Sequence, residues 1–123
     1  MIAADTSALS AYFKGEPKAT VTAVRRALSD GQLVLPPVVV TEVLSAPNSQ
    51  LLEPIVLDMK LLPVLEGYWL RAAQSRRRIL TKGLKAKVAD ALIAQSCVDH
   101  GVPLIAGDRD FQHFARYCGL KLA

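Results

Sequence analysis

Met1-Ile2-Ala3-Ala4-Asp5-Thr6-Ser7-Ala8-Leu9 decides how the rest of the chain is read. A short apolar run leads into one carboxylate and then two hydroxyls. Residues 1–4 read as a buried strand, with Asp5 at its carboxyl edge. Thr6 and Ser7 carry N-cap chemistry for a helix beginning near Ala8. In open α/β sheets ligands bind outside the carboxyl ends of the strands, so Asp5 is placed where a site would form. The reading then turns on which other acids come to meet it.

With 123 residues the chain is expected to form one domain, residues 1–123, able to bury a core. Hydrophobic residues make up 51% against 21% charged, which excludes an intrinsically disordered chain. No apolar run approaches the roughly 20 residues that span a bilayer, so no membrane partner is expected. The start of the chain has neither a basic n-region nor a long apolar h-region. A secretory signal is therefore not expected, and the expected compartment is the cytoplasm. Cys97 and Cys118 fit no metal spacing, Cys97 reads as a small core residue, and a disulfide is disfavoured. The formal net charge is +4, and basic residues gather at Arg71, Arg76, Arg77, Arg78, Lys82, Lys85 and Lys87. Such a run is either a solvated helix face or a surface for phosphate backbones, and charge alone does not choose.

Working outward, residues 19–30 read as a helix with Val21, Val24 and Leu28 on one face and Gly31 at C′. Residues 33–35 are a second strand. Pro36-Pro37 would interrupt a central strand, so Val38-Val39-Val40 is assigned to a helix from Pro37 to about Ala46 despite its strand propensity. Residues 50–60 read as a helix with Pro54 in its first turn, and residues 61–64 as a third, edge strand containing Pro63. Residues 66–81 and 87–100 are helices, the second closed by Gly101. Residues 102–106 form a fourth strand, 110–117 a short helix and 120–122 a last strand. Strands alternating with helices imply a three-layer α/β/α sandwich around a mainly parallel sheet of four to five short strands. The apolar stretch near residues 46–59 is either core or a surface for a partner.

Four acids stand in apolar company: Asp5 after the first strand, Glu42 as the only charge in 33–46, Asp90 as the only charge in 88–96, and Asp108 after the last apolar run. An isolated buried carboxylate is costly and tends to protonate. Four remain ionised together only around a cation, and a hard divalent ion suits oxygen ligands; magnesium takes a few carboxylates plus substrate phosphates, and manganese suits similar ligands. Singly, each acid is as well explained as a helix cap or half of an ion pair. If the first and fourth strands are neighbours, Asp5 and Asp108 converge at a topological switch point. Asp110 caps the following helix or touches the site. Asp99 reads as solvated, and His100 and His113 carry no assigned chemistry.

These residues resemble the PIN domains, and among them the small VapC-like toxins of type II toxin–antitoxin pairs. The resemblance rests on Asp5-Thr6-Ser7-Ala8-Leu9, on Glu42 in Thr-Glu-Val-Leu, on Asp90 in Ala-Asp-Ala-Leu-Ile-Ala, and on Leu104-Ile105-Ala106-Gly107-Asp108-Arg109-Asp110-Phe111. It covers essentially the whole chain in order and spacing. It implies a magnesium-dependent endoribonuclease in which Asp5, Asp90 and Asp108 hold the metal. Glu42 is a further ligand or positions the attacking water, with Thr6 or Ser7 in support. It also implies a homodimer and a small antitoxin whose tail enters the acidic groove. Members often carry threonine where Ala106 stands, so one polar group of the metal's outer shell is absent.

On this reading the metal orients and acidifies a water and neutralises charge on the phosphate. Arg76, Arg77, Arg78, Lys82, Lys85 and Lys87 hold the RNA backbone outside the pocket. With 6% aromatics, base stacking is not the main source of affinity. Asp5→Asn is expected to abolish cleavage and leave the fold intact. A phosphoacceptor receiver domain would need paired acids after the first strand, an acceptor aspartate after the third and a lysine at the end of the fourth. Here Asp5 has no acidic neighbour, Asp58 sits in a helical pattern and no lysine ends the fourth strand, while a haloacid-dehalogenase-type phosphatase would need a second aspartate where Ser7 stands. The alternative from another class is a non-catalytic RNA- or antitoxin-binding module on the same fold, against which the four retained acids count.

Overall fold

The structure, a computed structural model, describes all of residues 1–123. Four strands, β1 (Ile2–Ala4), β2 (Leu33–Leu35), β3 (Lys60–Leu61) and β4 (Leu104–Ile105), form one sheet in the order β3-β2-β1-β4, parallel throughout. Seven helices flank it: α1 (Thr6–Phe13), α2 (Ala19–Ser29), α3 (Pro37–Leu44), α4 (Glu53–Leu57), α5 (Tyr68–Thr81), α6 (Val88–His100) and α7 (Phe111–Tyr117). The chain steps from β1 to β2 to β3 in one direction and then returns to lay β4 on the other side of β1. That reversal is the switch point, and it lies between β1 and β4, at whose carboxyl ends Asp5 and Asp108 stand.

Each element follows from its residues. β1 and β2 are buried on both faces, as a covered parallel sheet requires, and Ala3 and Ala4 leave room for helices on either side. In α5 the buried residues are Tyr68, Ala72, Ser75 and Ile79, spaced four, three and four apart. α6 is different: seven of its thirteen residues are buried, because α3, α5 and α7 all pack against it. Its near-absence of charge reflects that position. Pro37 opens α3 at its first turn, and Val39 and Val43 supply its buried face, so the three valines are helical, as the two prolines require.

Several expectations are corrected. The first helix starts at Thr6 rather than near Ala8, and its N-cap is Asp5, whose Oδ1 accepts from the Ala8 amide at 2.7 Å. A carboxylate leaving a strand reaches the third amide of the next helix as well as a hydroxyl does. Residues 50–60 divide into a 3-10 turn (Gln50–Leu52), α4 and β3, with Pro54 in the first turn of α4. The edge strand ends before Pro63, whose carbonyl faces the His100 Nε2 at 2.7 Å. The last strand contracts to a single bridge between Leu104 and Leu122. Asp99 is not solvated: Arg71 donates to both its oxygens, at 2.9 and 2.6 Å, and Gln95 adds a third bond at 2.8 Å. These pairings draw its carboxyl below the usual range.

Candidate metal centre

Asp5 is 1% exposed and both its oxygens are engaged. Oδ1 caps α1, while Oδ2 accepts from the amides of Gly107 at 2.9 Å and Asp108 at 3.3 Å. One carboxylate thus pins the start of α1 to the loop that leaves β4. Burial raises its pKa, the three amides pull it back, and neighbouring Asp108 pushes it up again. Asp5→Asn therefore carries two opposing effects on the fold. An asparagine would turn its own N–H2 toward one of these amides, at a cost of roughly 1–3 kcal/mol that opposes the gain from removing a buried charge.

Asp90 sits in the first turn of α6, 8% exposed, and its Oδ2 has no hydrogen-bond partner. Its pKa is raised to about 6, first by burial and then by Asp108, with Glu42 and Asp110 adding to the rise and Lys87 opposing it. Asp108 and Asp110 are half-buried, and the Asp110 amide donates to Asp108 Oδ1 at 2.9 Å. Carboxylate oxygens of Asp90, Asp108 and Asp110 lie within 4.8 Å of one another. Asp110 does not cap α7 with its side chain, so of its two expected roles the structure favours the one at the acids. Glu42 is exposed on α3 and receives a hydrogen bond from Thr6 Oγ1 at 2.5 Å.

Asp5, Thr6, Glu42, Lys87, Asp90 and Asp108 line a single cavity of about 160 Å³, whose wall also includes Ser7 and Phe111. At roughly 30 Å³ per water, this holds a cation with a few of its waters. The donor set is all oxygen and anionic, and Asp90, which lines the cavity, has an unpartnered buried Oδ2; both fit a hard divalent cation. The sequence missed Gly107 and Phe111. Gly107 has no room for a side chain, since an added Cβ would lie 2.7 Å from Ser7 Cβ and 3.0 Å from the Ala8 amide nitrogen. A glycine between an apolar strand and an acid was the available signal of that close approach. Ala106, where threonine was the expectation, packs against the core.

The basic residues separate. Arg71 is committed to Asp99, and Arg76 Nε donates to the Ala86 carbonyl at 2.8 Å. Arg77, Arg78 and Lys82 line a polar cavity on α5 with Gln74 and Thr81; Arg78 reaches the Tyr117 carbonyl at 3.2 Å and Lys82 lies over the Tyr117 ring. Lys85 is exposed, and only Lys87 joins the acids.

The family model for the PIN domain matches residues 2–117. The chain belongs to the PIN domain family. PIN domains are generally nucleases, and the acidic cluster of this one lies at the switch point. No curated protein matches this PIN domain in sequence. Among solved structures, it is similar to a chain of VapBC2 from Rickettsia felis bound to a DNA fragment from their promoter. That likeness has a TM-score of 0.77 at 15% identity and covers 100% of this chain and 98% of that one. A chain of FitAcB from Neisseria gonorrhoeae gives a TM-score of 0.71 at 21% identity, covering 99% and 96%. At these identities the likeness speaks for the PIN fold. No helix of this PIN domain is long and apolar enough to cross a membrane.

Proposed function

We propose that this chain is a metal-dependent endoribonuclease that hydrolyses RNA phosphodiester bonds and serves as the toxin of a toxin–antitoxin pair. The observation that carries the reading is the cluster of Asp90, Asp108 and Asp110, each bringing a carboxylate oxygen within 4.8 Å of the others, with the buried Oδ2 of Asp90 left unpartnered. Such an arrangement is unfavourable without a cation and suited to one. Asp90 and Asp108 are the principal ligands of magnesium, for which manganese can substitute, and Asp110 rises from a supporting role to a candidate third. Asp5 lines the cavity and pins the loop that carries Asp108 and Asp110 to the start of α1. Glu42, oriented by Thr6, is a further ligand or positions the attacking water; Ser7 stands beside it. When bound, the metal lowers the pKa of water and offsets charge on the phosphate. The protein supplies the ligands, the orientation and a cavity narrow enough to limit bulk water.

The toxin role is supported by the family and by the fold shared with chains of two named complexes, VapBC2 and FitAcB. A small antitoxin, a homodimer and a cytoplasmic setting for the single 123-residue domain belong to the same proposal. Arg77, Arg78, Lys82 and Lys85 then hold the backbone of RNA beyond the cavity, with Arg76 partly engaged by Ala86.

The test is cleavage of an RNA pool by antitoxin-free protein, with magnesium or manganese against chelator, beside Asp90→Asn. Metal-dependent cutting lost in the variant supports the reading. Magnesium binding without cutting of the pool would point to a narrow RNA substrate, and no divalent binding at all would sink the metal centre and favour the non-catalytic module.

A further inference from the structure

Lys87 differs from every other basic residue of the chain. It is the only cation lining the cavity of Asp5, Glu42, Asp90 and Asp108, yet it pairs with none of them within salt-bridge distance. It is exposed, so its ammonium is free to meet a ligand. It is also the N-cap residue of the thirteen-residue helix α6, and its side chain caps no amide. The amides of Val88, Ala89 and Asp90 find no acceptor in the protein. An uncapped helix start offers N–H donors and a partial positive charge, the usual provision for an anion. The second observation is independent: Asp90 Oδ2, buried and unpartnered, marks the same cavity as a cation's place. A cation among carboxylates takes its remaining ligands from substrate phosphate.

We propose that Lys87, with the amides that open α6, seats the scissile phosphate of RNA opposite the carboxylate cluster. The inference rests on the nuclease reading and adds to it a catalytic residue that touches substrate. Hydrolysis takes a phosphodiester from one negative charge toward two, and four carboxylates already crowd the cavity. A divalent ion offsets two of those charges. The Lys87 ammonium on the far side of the phosphate supplies a further positive charge where it grows, without a second metal ion. The remaining basic residues hold RNA only outside the cavity, so their loss would weaken binding rather than turnover.

The experiment compares wild type, Lys87→Ala, Lys87→Arg and Lys14→Ala, the last removing equal charge at the far end of α1. It has three readouts: turnover on a saturating RNA pool in magnesium, magnesium binding by calorimetry, and anisotropy of a labelled single-stranded RNA in calcium. Lys87→Ala is expected to lose turnover on the order of a hundredfold. It should bind the labelled RNA more weakly and magnesium at least as tightly, since a competing positive charge has gone. Lys87→Arg should keep most of the turnover. Wild-type turnover in Lys87→Ala, an equal loss in Lys14→Ala, or weaker magnesium binding in Lys87→Ala would each overturn the assignment while leaving the metal centre standing. A wild-type protein that neither binds magnesium nor cuts RNA would remove the nuclease reading and this inference with it.

Discussion

At the scale of single residues, Asp90 sets the behaviour of the site. Its pKa of about 6 in the folded chain exceeds the 3.8 of the unfolded one, so the folded state holds the extra proton between those values. The stabilisation from that proton is complete below about pH 3.8 and is lost as the pH rises through about 6. At neutral pH the ionised Asp90 then costs the metal-free fold on the order of 3 kcal/mol. Asp90→Asn should raise the melting temperature of chelator-treated protein near pH 7 and leave it little changed near pH 4. Magnesium should stabilise the wild type more at pH 7 than at pH 5, because the cation and the proton compete for one carboxylate. Thermal melts across pH, with and without metal, check both; equal melting of variant and wild type at pH 7 would mean that Asp90 carries no such burden. Asp90 was legible as a single charge in an apolar helix. Asp5 was legible as important, but its division between cap and loop anchor was not, because its partners at Gly107 and Asp108 lie more than a hundred residues away.

Among elements, the close approach of α1 and the loop after β4 is the most constrained. Gly107→Ala would press a methyl group onto Ser7 and the Ala8 amide, and overpacking of this kind costs about 1–3 kcal/mol. The variant should melt lower and bind magnesium more weakly, since Asp108 and Asp110 leave with the displaced loop; urea unfolding and calorimetry measure the two. Across α5 and α6, Ser75, Gln95, Asp99 and Arg71 form one hydrogen-bonded chain. Arg71→Lys, which keeps the charge but gives up the two-pronged grip on Asp99, should lower the melting temperature. The regular elements were readable because burial imposes a period on their residues. α3 was readable despite its valines because Pro36-Pro37 excluded the competing strand. What escaped was where elements stop: β3 ends at Leu61, and the last strand shrinks to a bridge, both decided by pairing with strands distant in sequence. Asp99 escaped for a similar reason, since its partner Arg71 is a helix away.

For the molecule as a whole, charge is divided by place: acids at the switch point, most of the clustered bases along α5 and the loop that follows it. If that flank holds RNA, log affinity should fall with log salt. Removing Arg77 and Lys82 together should then flatten the slope by roughly 0.7 for each phosphate that is no longer neutralised. Anisotropy of a labelled RNA across a salt series reads this, and an unchanged slope would assign the flank to plain solvation. The overall architecture was legible because strand–helix alternation leaves few arrangements, whereas the separation of Lys87 from its basic neighbours was visible only once α6 was placed. The strand order carries one further consequence. β1, synthesised before the other strands, is completed on one side by β4, and Asp5 receives two of its three amide hydrogen bonds from residues 107 and 108. A ribosome must therefore release the polypeptide past Asp108 before the acids can assemble, so a nascent chain shorter than that has no complete candidate metal centre.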